Sequence, residues 1–323
     1  MKKILVSASH FDALCVDAWE MIEKAGYGVV YDPEKFFPSY SNEELYALPD
    51  REDIVGALIG LDDFCDEEKY HALPNLKAVA KFGVGVDNLD GKIAKKYGVR
   101  IINAPGQNSN AVAELTVGFI LNLLREIVPL HQSMLKSEWV RFMGTEVRNK
   151  VVGLVGFGAI ARSVAEKLKV FGAQIIAYDL NPNKKAAERI GVELTDINSV
   201  ITKSDIISIH IPATPDTYHL FDKDTIASMK DGAYLVNTAR GALVDLDALA
   251  EALISGKLAG AALDTFEVEP LPKDSSILKC HNIILTPHTG GETKEAYYKI
   301  SITAVKDLLR VLSGEEPVNW VNQ

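Results

Sequence analysis

Residues 151–161, VVGLVGFGAIA, join an apolar run to two closely spaced glycines and a small residue. The apolar run is typical of a buried β-strand, and residues 161–172 continue as a helix pattern that ends at a glycine. Gly156 would permit a tight turn, Gly158 would let a pyrophosphate approach the backbone, and Ala161 would let the helix pack closely on the strand. Because this setting places free helix N–H groups beside the turn, the stretch predicts a dinucleotide site.

The next predicted strand, QIIAYD at 174–179, ends in an acid that bears on the choice of cofactor. Asp179 lies near the spacing of roughly 20 residues after the first glycine that is expected for the acid that hydrogen-bonds the adenosine ribose. A carboxylate at this place repels a 2′-phosphate, so NAD is predicted rather than NADP. Lys184 and Lys185 follow closely and leave the strictness of that preference open.

Two sets of apolar strands alternate with helical stretches along the chain. Continuous apolar strands separated by helices are typical of parallel sheets that helices cover on both faces. Eleven strands are many for one twisted sheet, so two sheets are predicted, before and after a helical stretch at about 106–135. The expected fold is therefore α/β, with two doubly wound parallel-sheet domains. The predicted strands are KILVSAS, YGVVYD, IVGALIG, LKAVAKFG, VRIINAP, VVGLVGF, QIIAYD, IISIHIP, AYLVNTA, AGAALDTF and NIILTP.

The size and charge of the chain limit its possible functions. Its 323 residues suit two domains of roughly 100–200 residues each. The 34 Lys and Arg against 44 Asp and Glu give a net charge of −10, which works against sequence-independent binding to nucleic acid or anionic membranes. The most apolar helix pattern includes Glu114 and Asn122 and is shorter than a membrane span of about 20 apolar residues. We therefore expect neither a nucleic acid nor a membrane as partner.

The three cysteines indicate a cellular compartment. Cys15, Cys65 and Cys280 are far apart and form no C-x-x-C motif, which argues against a disulfide framework and against a zinc site. The apolar run after the N-terminal MKK is too short for a secretory signal and is interpreted as a first strand. The prediction is a cytoplasmic protein without a bound metal.

Polar side chains follow three predicted strands in the second half of the chain. Arg240 follows AYLVNTA, Glu269 lies three residues after AGAALDTF, and His288 follows NIILTP. Arginine suits bidentate binding of a carboxylate, and histidine transfers protons near neutral pH. Because the carboxyl ends of parallel strands meet at one edge of a sheet, the three side chains predict a catalytic site beside the dinucleotide.

These motifs together resemble those of the D-isomer-specific 2-hydroxyacid dehydrogenase family. The similarity is carried by VGLVGFGAIA, YD, NTARGALVD, ALDTFEVEP and TPHTGG, and it extends over nearly the whole chain through KFGVGVDNLD, FMGTEVRNK and HTGGETKEA. Phosphoglycerate dehydrogenases are the members that the pattern resembles most. The chain is expected to be a short form without the regulatory domain that many of those enzymes carry.

The resemblance implies a domain arrangement and an assembly. A flavodoxin-like substrate domain, residues 1–103 and 291–323, would be split by an inserted Rossmann-type NAD-binding domain at 104–290. A homodimer is implied as well, with a dimerisation arm at about 125–147. The implied substrate is a small 2-hydroxy or 2-oxo acid.

The resemblance also implies a role for each candidate residue. Arg240 would bind the substrate carboxylate and polarise the C2 oxygen, while His288 takes the hydroxyl proton as C2 passes a hydride to NAD. Glu269 would hydrogen-bond the imidazole, whereas Glu267 is interpreted as structural and His210 as a residue that shapes the nicotinamide region. The residues implied in binding are Val84 and Gly85 for the substrate carboxylate, and Gly156, Gly158, Ala159, Ile160, Asp179, Ile211, Pro212, Thr238, Ala239, Asp264 and Gly290 for the cofactor.

The stretch LIGLDDF at 58–64 leaves the side chain of the substrate open. Phosphoglycerate dehydrogenases typically place an arginine there, which can meet the substrate phosphate. This chain has Gly60 or Leu61 at the matching place, and Asp62 and Asp63 follow. Two carboxylates near a phosphate would repel it.

Two cations could compensate for the missing arginine, namely Lys81 and Arg141. The substrate therefore stays open between 3-phosphoglycerate and an acid with an uncharged side chain, of the hydroxypyruvate, glyoxylate or pyruvate type. A different class of function is open as well, because NAD(H)-sensing corepressor proteins resemble this fold. A formate dehydrogenase is disfavoured, since it would be expected to carry glutamine at the position of Glu269.

Overall fold

The computed structural model describes residues 1–34, 40–60 and 66–323. The chain divides into two compact units, and each contains a parallel β-sheet. The predicted α/β class with two parallel-sheet domains is thereby confirmed. Unit 1 comprises Met1–Asn108 with Gly291–Gln323, and unit 2 comprises Ser109–Gly290.

Five parallel strands form the sheet of unit 1. The strands are β1 (Lys3–Val6), β2 (Gly28–Tyr31), β3 (Ile54–Ile59), β4 (Ala78–Lys81) and β5 (Arg100–Ile102). The helices between them are α1 (Phe11–Leu14), α2 (Val16–Lys24), α3 (Asn42–Ala47), α4 (Glu67–Ala72) and α5 (Gly91–Lys96). The spatial order is β2-β1-β3-β4-β5. Every residue of β3 is buried, as expected for a strand in a sheet that is covered on both faces.

Seven parallel strands form the sheet of unit 2. The helices are α6 (Ser109–Arg125), α7 (Ile127–Leu135), α8 (Ala159–Val170), α9 (Lys184–Ile190), α10 (Ile197–Lys203), α11 (Lys223–Ser228) and α12 (Leu246–Ile254). The strands are β6 (Val151–Val155), β7 (Gln174–Tyr178), β8 (Glu193–Leu194), β9 (Ile206–Ile209), β10 (Ala233–Asn237), β11 (Leu258–Leu263) and β12 (Ile283–Leu285). Strand β8 was not among the predicted strands, because two residues are too few to show a period-2 pattern.

The strand order in unit 2 decides where its polar loops converge. The order is β12-β11-β10-β9-β6-β7-β8, so the chain order reverses at β6. In open α/β sheets, ligands bind at the carboxyl edge where this reversal occurs. The loops that follow β6, β9, β10, β11 and β12 therefore open toward one edge, and they carry the candidate residues.

Helix α6 is an interior element of unit 2. Its residues Ala113, Val117, Ile120 and Leu124 belong to a buried apolar cluster with Val152 of β6. Burial in this core explains why α6 is so apolar. Within the described part of the chain, no helix has both the length and the hydropathy needed to cross a membrane.

The last helix, α13 (Lys294–Ser313), completes unit 1. The Thr293 side chain caps its start by accepting the N–H of Ala296 at 3.1 Å, and Gly314 ends it in a left-handed conformation with φ of 90°. Tyr297, Ala304, Leu308 and Val311 share a buried cluster with strand residues of unit 1. The C-terminal segment thus packs on the sheet that the N-terminal segment builds.

Candidate active site

The glycine turn after β6 is shaped by close backbone contacts. Gly156 has φ of 98°, and a Cβ there would lie 2.5 Å from the carbonyl oxygen of His210. Its N–H donates to the carbonyl of Tyr178 at 2.7 Å. Only glycine combines this conformation with this approach, so the residue is required by the protein's own backbone.

Gly158 differs from Gly156, because no contact within the described residues calls for a glycine there. It has an ordinary extended conformation, and a Cβ built on it would meet no described atom within 4 Å. It precedes the first turn of α8, whose N–H groups have no partner inside the helix. The space beside Gly158 and the adjacent N–H groups therefore fit a pyrophosphate.

Asp179 lies at the end of β7 and stabilises the glycine turn. Its Oδ2 accepts the N–H of Phe157 at 2.7 Å, and its Oδ1 accepts the N–H of Asn181 at 2.8 Å. The carboxylate is thus held beside the turn, where the ribose of a dinucleotide is expected. This placement fits the NAD site that the sequence predicts.

A buried hydroxyl pair lies behind the loop that follows β10. Thr116 Oγ1 donates to the carbonyl of Val112 at 2.8 Å and lies 3.0 Å from Thr238 Oγ1. Because the Thr116 proton is already used, Thr238 donates to Thr116. The lone pairs of Thr238 then remain to accept a hydrogen bond from a ligand.

Asp264 organises the loop that carries His288. It is 1% exposed, and its Oδ1 accepts the Thr286 hydroxyl at 2.5 Å and the Thr289 N–H at 2.8 Å. Its Oδ2 accepts the N–H of Gly290 at 2.8 Å. Sequence reasoning assigned Asp264 to the cofactor alone and missed this loop-anchoring role, for which only the threonines at 286 and 289 were a signal.

Glu269 and His288 form a hydrogen-bonded pair. Glu269 Oε2 lies 2.8 Å from His288 Nδ1, and Oε1 accepts the N–H of Phe266 at 2.9 Å. The side chains are 33% and 37% exposed, so the pair is open to a ligand. Burial would raise the pKa of Glu269, but the hydrogen bonds from His288 and Phe266 and the nearby charge of Arg240 hold it below its ordinary value.

Arg240 extends from the end of β10. Its Nη1 donates to the carbonyl of Ala239 at 2.7 Å, and its own carbonyl accepts the side-chain N–H of Asn237 at 2.8 Å. Asn237 is fully buried and also accepts the Ala239 N–H at 3.0 Å. Asn237 therefore holds the backbone on which Arg240 sits, a role that the sequence pattern did not indicate.

Comparison with known proteins identifies the family. The family model for the NAD binding domain of the D-isomer specific 2-hydroxyacid dehydrogenases matches residues 117–290. The chain belongs to this family. The predicted oxidoreductase class, acting on 2-hydroxy acids with NAD as cofactor, is confirmed at this level.

Two relatives and one solved structure show how far the similarity to other members extends. A glyoxylate reductase from Thermofilum pendens is 39% identical over 302 residues, which cover 91% of this chain and 88% of the relative. A D-3-phosphoglycerate dehydrogenase from Methanocaldococcus jannaschii is 39% identical over 328 aligned residues, and the match covers all of this chain but 60% of that protein. The apo structure of D-lactate dehydrogenase from Escherichia coli superposes with a TM-score of 0.86 at 28% identity, over 99% of this chain and all of that one.

The residues of this dehydrogenase that follow β9 lie at the carboxyl edge of the unit 2 sheet. The ring of His210 has its Nε2 2.9 Å from Ser208 Oγ, and burial lowers the pKa of His210 to about 3. The imidazole is therefore neutral near pH 7 and unsuited to donating a proton. Ile211 is partly buried and Pro212 is exposed, which leaves both near the surface of the loop.

Three further cofactor candidates of the dehydrogenase lie in unit 2, two at the start of a helix and one in a loop. Ala159 and Ile160 open helix α8, and Gly290 is buried in the loop that Asp264 anchors. A Cβ on Gly290 would lie 2.9 Å from the Asp264 carboxylate, so glycine is needed there for packing.

The substrate candidates of the dehydrogenase lie in both units. In unit 1, Lys81 is buried and its Nζ donates to the carbonyl of Gly60. The carbonyl of Val84 accepts the side-chain N–H of Asn103 at 2.8 Å, which holds the loop that continues to Gly85. Arg141 is exposed in unit 2. Leu61, Asp62 and Asp63, on which the argument against phosphate rests, lie outside the described residues, as does Cys65.

Proposed function

We propose that this dehydrogenase interconverts a D-2-hydroxy acid and the corresponding 2-oxo acid at the carboxyl ends of β10, β11 and β12. The observation that carries the proposal is the 2.8 Å contact between Glu269 and His288, with Arg240 near enough to lower the pKa of Glu269. A carboxylate, an imidazole and a guanidinium are the groups that this reaction requires.

Each side chain then has a defined task. Because Nδ1 of His288 faces Glu269, the imidazole exchanges its proton through Nε2, taking it from the C2 hydroxyl in oxidation and returning it in reduction. The Glu269 carboxylate orients the ring through its contact with Nδ1. Arg240 binds the substrate carboxylate through its planar guanidinium. When bound, NAD would supply the hydride acceptor for C2 in oxidation, and NADH would supply the hydride donor in reduction.

The cofactor is proposed to lie along the glycine turn. Gly158 with the α8 N-terminus would hold the pyrophosphate, and Asp179 would accept hydrogen bonds from the ribose and disfavour NADP. Thr238 offers an acceptor at the next loop, since its proton goes to Thr116. The other proposed contacts of the cofactor are Gly156, Ala159, Ile160, Ile211, Pro212, Ala239, Asp264 and Gly290.

We favour a small 2-oxo acid whose side chain carries no charge, such as glyoxylate or hydroxypyruvate. Lys81, one of two cations proposed to meet a phosphate, is buried, and one of its N–H groups is used by the Gly60 carbonyl. The glyoxylate reductase of Thermofilum pendens also matches this chain over 88% of its own length. The proposed substrate contacts in unit 1 are the backbone N–H groups of Val84 and Gly85. Phosphohydroxypyruvate is the second candidate, because the phosphoglycerate dehydrogenase matches the whole of this chain.

The deciding experiment follows NADH oxidation with glyoxylate, hydroxypyruvate, pyruvate and 3-phosphohydroxypyruvate. We expect kcat/KM to be highest for an acid whose side chain carries no charge. A preference for phosphohydroxypyruvate would assign a phosphate-binding role to Lys81 and Arg141. If no acid of the panel is reduced while NADH still binds, the alternative of an NAD(H)-sensing partner protein is favoured.

We further propose a cytoplasmic homodimer in which residues 1–103 and 291–323 form the substrate domain and residues 104–290 form the NAD-binding domain. The proposed dimerisation arm, about 125–147, carries large apolar side chains that are exposed in the single chain. Trp139 is 83% exposed and Met143 is 96% exposed. Large apolar side chains that are exposed in this way favour association with a second copy.

A further inference from the structure

A second histidine–carboxylate pair lies in unit 2, in the loop that carries Glu269. Glu267 Oε1 accepts the hydroxyl of Tyr218 at 2.9 Å, and its Oε2 lies 3.0 Å from His219 Nε2. The rings of Tyr218 and His219 stack with centroids 4.0 Å apart and an interplanar angle of 15°. Both oxygens of one carboxylate thus bind consecutive residues of a single short segment.

The segment that holds Glu267 is attached to the turn that follows Arg240. The N–H of His219 donates to the carbonyl of Ala242 at 2.8 Å, and the N–H of Phe221 donates to the carbonyl of Leu243 at 3.0 Å. His219 also has φ of 48°, a left-handed conformation that is uncommon outside glycine. These backbone contacts set the direction of the His219 ring relative to the backbone that continues from Arg240.

The loop of Glu269 meets the same turn directly. A Cβ on Gly241 would overlap the carbonyl carbon of Phe266 and the nitrogen of Glu267, so the peptide between these two residues lies against Gly241. The N–H of Phe266 in turn donates to Glu269 Oε1 at 2.9 Å. Glu267 therefore lies at the point where the backbone next to Arg240 touches the loop that orients Glu269.

We propose that Glu267 is a positioning residue, which holds the 265–269 loop through Tyr218 and His219 in the register that aligns Glu269 with His288. This inference rests on the proposed function, because the alignment matters only if Glu269 and His288 act on a 2-oxo acid. Hydrogen bonds from His219 and Tyr218 hold the pKa of Glu267 below its ordinary value, so its carboxylate remains an ionised acceptor near neutral pH.

The first measurement compares three variants in steady-state reduction of the preferred 2-oxo acid. E267A removes both acceptor oxygens, and we expect kcat to fall about tenfold with KM for NADH changed less than about twofold, since small misplacements of catalytic groups lower kcat. E267Q keeps an oxygen for Tyr218 and should recover kcat to within about threefold of the parent. E251A is the matched control, because Glu251 makes an exposed salt bridge with Lys223 at 2.9 Å, and its kcat should equal that of the parent.

The second measurement repeats E267A in an E269A background. If Glu267 acts through Glu269, adding E267A should lower the residual kcat by less than about twofold, because coupled residues are not additive. An equal loss in both backgrounds would indicate a merely structural role and overturn the inference. So would an unchanged kcat in E267A.

Folding and overall activity are measured in the same series. If circular dichroism shows that E267A is unfolded, Y218F, which removes the hydrogen bond to Glu267, decides the question in both backgrounds by the same criterion of coupling to Glu269. A parent enzyme that reduces no 2-oxo acid overturns the proposed function and this inference together. An active parent with uncoupled variants overturns the inference alone.

Discussion

Asp264 holds His288 through the backbone on both sides of the histidine. The His288 N–H donates to the Asp264 carbonyl at 2.7 Å, and the Asp264 carboxylate accepts the N–H groups of Thr289 and Gly290 at 2.8 Å each. His288 has φ of 54°, which is costly for a residue with a side chain. The direction of the imidazole therefore depends on this buried carboxylate.

Asp264→Asn should lower both stability and turnover. The amide N–H₂ would face N–H donors, and leaving a buried donor unpaired costs about 1–3 kcal/mol, so we expect the free energy of unfolding to fall by about 2 kcal/mol. We expect kcat to fall at least about tenfold because the His288 loop loses its anchor. Denaturant unfolding and steady-state kinetics measure the two effects, and Asp274→Asn, an exposed acid, is the control. Normal kcat in Asp264→Asn would contradict the anchoring role.

Alanine at the two glycines of the turn should give different results. Gly156→Ala forces a methyl group against the His210 carbonyl and should lower the melting temperature. Gly158→Ala meets no described atom within 4 Å, so the melting temperature should stay within about 1 °C while NADH binding weakens at least about tenfold. Calorimetric melting and fluorescence titration with NADH separate the two outcomes. Unweakened NADH binding in Gly158→Ala would place the pyrophosphate elsewhere.

Arg240→Lys should preserve the charge and lose the planar fork that binds a carboxylate. We expect kcat/KM for the 2-oxo acid to fall about 100-fold, which corresponds to about 2.7 kcal/mol, whereas the Kd of NADH should change little. Arg189→Lys, in an exposed ion pair with Glu166, is a matched control. Near-normal kinetics in Arg240→Lys would remove this residue from the site.

Asp205 should contribute stability that depends on pH. Its Oδ2 accepts the Val151 N–H at 2.8 Å and its Oδ1 accepts Lys230 Nζ at 3.0 Å. Burial would raise the pKa of Asp205, but these two hydrogen bonds and the charge of Lys230 hold it below its ordinary value of 3.8. Because the folded pKa lies below the unfolded one, the contribution is complete above the unfolded pKa and is lost as the pH falls through the folded pKa.

Asp205→Asn should therefore lower the melting temperature at pH 7 by about 2–4 °C, the shift expected for about 1 kcal/mol in a unit of this size. The difference from the parent should shrink as the pH approaches 3. Asp231→Asn, which breaks an ion pair at a 91% exposed carboxylate, should have a smaller effect. A melting-temperature difference that grows as the pH falls would contradict the assigned direction of the pKa shift of Asp205.

A charge on the exposed apolar arm should disrupt the proposed homodimer. Trp139→Glu and Met143→Glu place carboxylates where large apolar side chains are exposed, so sedimentation should shift from dimer toward monomer. Leu180→Glu is the control, because Leu180 is an exposed apolar residue outside the arm. Equal sedimentation of the parent and both arm variants would argue against this interface.

The strand pattern and the glycine turn were accessible to sequence reasoning because both are local. Apolar runs such as IVGALI predict buried strands wherever they occur, and β3 is buried throughout. Likewise, the order glycine, glycine and alanine after a strand predicts a turn with a positive φ at Gly156. Strand β8 escaped prediction, since its two residues pair with β7 without a pattern of their own.

The choice of partners for the two glutamates of DTFEVEP was not local. Glu267 and Glu269 are two residues apart, and the resemblance to known dehydrogenases, not spacing, assigned the second to His288. In the structure Glu269 contacts His288 and Glu267 contacts His219. No periodicity could distinguish them, because the distinction depends on the approach of loops that are distant in sequence.

Local periodicity and the geometry of parallel strands were enough to predict the α/β class, the glycine turn and the set of polar residues at strand ends. The anchoring of the histidine loop by Asp264 and the contact of Gly241 with the peptide between Phe266 and Glu267 are known only from the folded chain. Hydrogen bonds and close contacts join residues from separate loops, and the order of residues in the chain does not encode those distances directly.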